Sequence, residues 1–171
     1  MIPCRLATLT AASLIALLSL LAVSCCTSVS DDDVALIKAL GKVPLFTGMD
    51  SAELLALTPA AKLRRAKAGE KIITQGKMLD RMYIVMDGGA DVVVNGKKVT
   101  TLTGQPLVGE VEYVDPAGAS ADVIVLKDTD VLELNYAILT ALMENDPRAG
   151  YLFMRELAKL EARRLRNMNP K

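Results

Sequence analysis

Histidine and tryptophan are absent from all 171 residues. Without histidine there is no Ser-His-Asp or Cys-His machinery and no imidazole-bound metal. With no tryptophan and aromatics at 4%, platforms for stacking bases are scarce. Charge is not in excess either: 20 basic residues face 20 acidic ones, which argues against a bulk nucleic-acid binder. The three cysteines, Cys4, Cys25 and Cys26, all fall in the first 26 residues. The remainder can form neither a disulfide nor a thiolate metal site. The sequence shows no P-loop, no G-x-S-x-G and no acidic metal cluster. It therefore points to a non-enzymatic chain with no cofactor and room for one domain.

What is abundant is apolar surface, 51% of residues, and the first 24 residues inflate that figure. They carry one charge, Arg5, and Leu14–Val23 is an apolar run broken only by Ser19. A short basic region and a brief apolar core ended by small residues describe a secretory signal peptide. Ala22-Val23-Ser24-Cys25 resembles the lipobox of bacterial lipoproteins, with Ala22 where leucine is usual. The resemblance implies lipidation of Cys25 and anchoring by acyl chains, at about 0.8 kcal/mol per buried methylene. An uncleaved membrane helix is the first alternative, since Leu6–Ser30 is uncharged, although its strongly apolar part is short for a span. A plain secreted protein is the second. With Cys25 as first residue the mature chain has net charge −1. Cys26, rather than Asp, follows it, which favours the outer over the inner membrane and an extracytoplasmic domain. The expected organisation is residues 1–24 as signal peptide with lipobox, 25–33 as polar tether, 34–168 as domain and 169–171 as tail.

Along the mature chain, Asp33 is expected to cap a helix through Ala35–Leu40. Asp50-Ser51-Ala52-Glu53 reads as a capping box for a short helix ending before Pro59. Short β-branched segments then recur between Gly, Asp and Asn: Lys62–Lys67, Lys71–Thr74, Arg81–Met86, Ala90–Val94, Lys98–Leu102, Leu107–Val108, Asp122–Leu126 and Val131–Leu134. Asn95-Gly96 is a two-residue hairpin signal. Eight such strands predict an antiparallel sandwich or barrel. Tyr136–Glu144 reads as helix, and Asp146-Pro147 starts another with Asp as cap. On that last helix Phe153, Leu157, Leu160, Arg164 and Met168 recur three or four apart, on one face.

Helices, an eight-stranded roll and two more helices follow the order of the cyclic-nucleotide-binding domain, and particular residues carry the likeness. Val43-Pro44-Leu45-Phe46, Ala68-Gly69-Glu70-Lys71, Gln75-Gly76, Asp80–Gly88, Gly109-Glu110 and Asp128–Leu134 resemble that family's motifs in the right order. The resemblance spans residues 34–168. It implies a mainly β fold with flanking helices: an eight-stranded antiparallel β-roll, jelly-roll and cupin-like, with N-terminal helices and two C-terminal ones. Gly69, Gly76, Gly88, Gly104 and Gly109 are expected at strand ends, where tight corners need positive φ or a close backbone.

The family's phosphate-binding cassette implies ligand-binding roles for Gly109, Glu110, Val111, Ala119, Ser120 and Ala121. By resemblance, the glutamate accepts from a ribose 2′-hydroxyl and an arginine pairs with the cyclic phosphate. Here Ala119 stands in that arginine's place, and Glu112 replaces a small residue. No lysine or arginine occurs between Gly109 and Val125, so rescue would need a side chain from elsewhere, such as Arg81. Losing a charge-assisted phosphate bond of roughly 1.5–3 kcal/mol costs about tenfold to a hundredfold in affinity. The sequence thus predicts a small-ligand or regulatory module with a degenerate cassette. A protein-binding adaptor with a vestigial pocket and a genuine cyclic AMP or cyclic GMP sensor are the alternatives.

The basic clusters Lys62–Lys67 and Arg163–Arg166 read as solvated faces, the second suited to a helix C-terminus. Nothing DNA-reading follows the last helix. The partners compatible with the sequence are a membrane through Cys25, a small ligand, and either a second copy along the C-terminal helix or another protein.

Overall fold

Ser30, rather than Asp33, begins the first helix. The computed structural model describes residues 30–168, so the expected signal peptide, the lipobox with Cys25, and the tail lie outside the described residues. Helix α1 spans Asp31–Leu40, and the Ser30 hydroxyl accepts the Asp33 N–H while the Asp33 carboxylate accepts the Ser30 N–H. This reciprocal box places Asp31, Asp32 and Asp33 in the first turn, where acids suit the positive end of the helix dipole. Those three residues belong to the helix and not to a tether. Helix α2, Ser51–Leu57, starts at Asp50 with the expected box to Glu53.

The eight strands are β1 Ala61–Ala66, β2 Lys71–Ile73, β3 Arg81–Val85, β4 Ala90–Val94, β5 Lys97–Leu102, β6 Leu107–Val108, β7 Asp122–Val125 and β8 Thr129–Asn135. Helix α3, Glu110–Val114, interrupts them after β6. Helices α4, Tyr136–Asn145, and α5, Pro147–Met168, complete the fold. Asn95 and Gly96 have φ of 51° and 75°, the pair of positive values that a tight hairpin between β4 and β5 requires. Strand β8 is longer than its sequence pattern predicts. It is paired on both edges, by β1 and β3, and the ladders hold its ends.

The strands form two antiparallel four-stranded sheets, in the orders β1-β8-β3-β6 and β2-β7-β4-β5. Between them lies a small-residue core that includes Ala66, Ile72, Val85, Val108, Val123, Val125 and Val131. The first sheet also carries a second core on its other face. There Met82, Ile84, Leu132 and Leu134 meet Leu40, Phe46, Leu54, Leu139, Phe153 and Leu157 of the helices. This places α4 and α5 beside the end of β6, where α3 begins. Among the described residues no helix is long and apolar enough to cross a membrane.

Candidate functional site

The turn after β6 depends on Gly109. Its φ is +83°, and a Cβ there would lie 3.2 Å from Leu79 Cδ1 and 3.3 Å from both Arg81 O and Met82 Cα. The Tyr136 hydroxyl, at the start of α4, donates to Gly109 O. Held in this way, the chain enters α3 with Glu110 as its first residue.

Helix α3 divides its side chains. Tyr113 turns toward the helices, with its ring 5.2 Å from that of Tyr136 and edge-on to Phe153 at 6.1 Å. Its hydroxyl lies 3.0 Å from Thr140 Oγ1. Glu110 and Glu112 line a cavity of about 180 Å³ at the mouth of the roll. The apolar wall is Ile73, Val92, Leu102, Val108 and Val123; the rest is Gly109, Val111, Ser120, Ala121 and Arg164.

Five of the six residues expected in the cassette therefore line one cavity: Gly109, Glu110, Val111, Ser120 and Ala121. Ala119 does not. It is buried in the roll core, with its N–H donating to Lys77 O at 2.9 Å and its carbonyl accepting the Gly76 N–H at 2.7 Å. Tyr113 does not fill the space, and Glu112 bends back onto its own loop, accepting the Ser120 N–H at 3.2 Å.

The cation at this site comes from α5. Arg164 donates to Glu110 Oε1, to Glu161 Oε1 at 2.9 Å and to the Leu107 carbonyl. The expectation of a solvated arginine cluster fails at this position. The sequence held the signal, because Arg164 stands in the apolar stripe of α5 and so must face the domain. Arg81 is no rescuer: its guanidinium is bound to Asp80 and, at 2.8 Å, to Glu133. Glu133 is itself buried and takes Arg64 as well, so this trio fastens β1, β8 and β3 together.

Glu110 is 4% exposed. Its Oε2 is buried and has no hydrogen-bond partner among the described residues. Burial pushes its carboxyl up to about 7, against the downward pull of Arg164. Near neutral pH the group is therefore divided between the ionised acceptor and the protonated donor.

Residues 63–146 match the family model described as cyclic nucleotide-binding domain. Glutaminase 1 of Bradyrhizobium diazoefficiens is 31% identical over 133 residues, which is 77% of this chain and 22% of that protein. The cAMP-dependent protein kinase regulatory subunit of Schizosaccharomyces pombe is 31% identical over 118 residues, 64% of this chain and 29% of that one. The chain thus spans under a third of the length of these curated relatives. The crystal structure of Thermus thermophilus catabolite activator protein superposes with a TM-score of 0.60 and 30% identity, over 74% of this chain and 60% of that one.

Proposed function

We propose, from the premise that this chain carries a cyclic nucleotide-binding domain, that it is a non-enzymatic module for an uncharged, hydroxyl-bearing small molecule rather than for a cyclic phosphate. One observation carries the reading: Glu110 lines the cavity, and its Oε2 is buried with no partner among the described residues. An unsatisfied buried polar atom costs about 1–3 kcal/mol, and a ligand hydroxyl that meets it as the carboxyl turns toward the cavity removes that cost. The refusal of anions has separate support. Ala119 stands where the family resemblance implies the phosphate arginine, and Arg164 is already committed to Glu110 and Glu161.

Calorimetry on the full chain tests this. Adenosine or guanosine is expected to bind at least about tenfold more tightly than its cyclic monophosphate, because the missing charge-assisted bond alone carries that factor. Micromolar affinity for cyclic AMP would overturn the reading and restore the cyclic-nucleotide sensor. Silence from all these ligands would favour an adaptor whose roll binds another protein.

The same proposal places the domain outside the cytoplasm, tied to a membrane through Cys25, with the outer membrane favoured. Its support is the apolar run Leu14–Val23 and the Ala22–Cys25 lipobox. An exported domain would not normally meet cyclic nucleotides, in keeping with an uncharged ligand. Cys25→Ala is expected to abolish incorporation of labelled palmitate, and unchanged labelling would refute the anchor.

A further inference from the structure

The cavity's second carboxylate has an unusual partner. Glu112 Oε1 accepts the backbone N–H of Ser120 at 3.2 Å, and both residues line the cavity. That N–H cannot easily turn away. The preceding residue, Ala119, is clamped through its own N–H and carbonyl to Lys77 and Gly76. Gly118 lies on the same loop so closely that a Cβ would stand 2.9 Å from Gly76 O. A fixed backbone N–H on the wall of a cavity is an anion-binding group. In this chain the anion it holds is a side chain.

We propose that Glu112 is the specificity-determining residue of the cavity: its carboxylate is a built-in anion that occupies the Ser120 N–H and repels phosphate-bearing ligands. The inference rests on reading the cavity as a ligand site and adds the residue that sets ligand charge. Coulomb repulsion between like charges a few ångströms apart opposes an anion even where solvent reaches the pair, as it does at this bond. The apolar wall of Ile73, Val92, Leu102 and Val123 supplies no opposing charge. Arg164 is shared among Glu110, Glu161 and the Leu107 carbonyl and so cannot offset it. A ligand that reaches Glu112 must bring a hydrogen-bond donor.

The test is cyclic AMP affinity, measured by calorimetry on the full chain and on its Glu112→Gln and Glu112→Lys variants. Glutamine keeps an acceptor for Ser120 while removing the charge, so it separates repulsion from occupancy. Affinity is expected to rise about tenfold in Glu112→Gln and about a hundredfold or more in Glu112→Lys, the range of one charge-assisted contact. Equal affinities across the three proteins, or no detectable binding in any, overturn the inference. Micromolar binding by the wild type sinks the preceding choice of ligand but leaves this inference standing if the order wild type, Gln, Lys holds. A thermal melt accompanies each variant. If the lysine variant does not fold, the ratio of Glu112→Gln to wild type decides.

Discussion

Arg164→Ala is expected to lower the unfolding free energy by about 3 kcal/mol at pH 8.5, and by no more than about 1 kcal/mol at pH 5. Removing one partner of a buried ion pair leaves an uncompensated charge, which costs about 3–5 kcal/mol. The lower end applies here because the Arg164 side chain is 28% exposed while that of Glu110 is 5%. The pH dependence follows from Glu110. Its folded-state value, about 7, lies above its ordinary 4.5, so the folded state holds the proton more tightly. The stability this supplies is fully present below pH 4.5 and is lost as pH rises through 7, about 3 kcal/mol for a shift of this size. At pH 5 the carboxyl is neutral and needs Arg164 only for hydrogen bonds. At pH 8.5 it is ionised and needs the charge. Glu133 behaves in the opposite way: burial pushes its carboxyl up, but Arg64 and Arg81 together outweigh this and hold it below its ordinary value, so its contribution fades in acid. Urea unfolding of wild type and variant at the two pH values isolates Arg164 as a difference. An equal loss at both would show that ionised Glu110 does not depend on it.

Phe153→Ala is expected to cost about 3–5 kcal/mol, the range for truncating a fully buried aromatic ring. Phe153 is 0% exposed and packs against Phe46 with ring centroids 6.1 Å apart. Its other aromatic neighbour is Tyr113, on the same short helix as Glu110 and Glu112. The variant therefore loosens the cavity as well as the core. Leu165→Ala is the matched control on α5, since Leu165 is 60% exposed and a surface change of this kind stays within about 0.5 kcal/mol. Denaturant midpoints of the two variants check the contrast. Equal losses would mean that α5 is not docked through Phe153.

Much of this architecture is legible in the chain because its signals are local. The Asp50 and Asp146 caps need only residues two or three positions away. Asn95-Gly96 sets its own hairpin, and of the two reasons expected for glycine at Gly69, Gly76, Gly88, Gly104 and Gly109, positive φ holds at all five. What escapes the sequence is long-range. Arg64 and Arg81 meet Glu133 across sequence separations of 69 and 52, through the register that sets Lys62 and Tyr83 opposite it. Arg164 reaches Glu110 from 54 residues away. Glu112 is visible as an acid in an unexpected place, but its claim on the Ser120 N–H depends on how the loop at Gly76 fixes Ala119. At Ser30 the miss is of another kind. Serine and aspartate compete for the same cap, and a hydroxyl three residues earlier wins because Asp33 can answer it from inside the helix.

Strands β3 and β8 send side chains into both cores: Met82, Ile84, Leu132 and Leu134 toward the helices, Val85 and Val131 into the roll. The helix layer cannot peel away without uncovering the wall that the roll also leans on. Roll and helices are accordingly expected to melt as one cooperative unit, so that the loss of helix signal and of tyrosine fluorescence should coincide in a single transition.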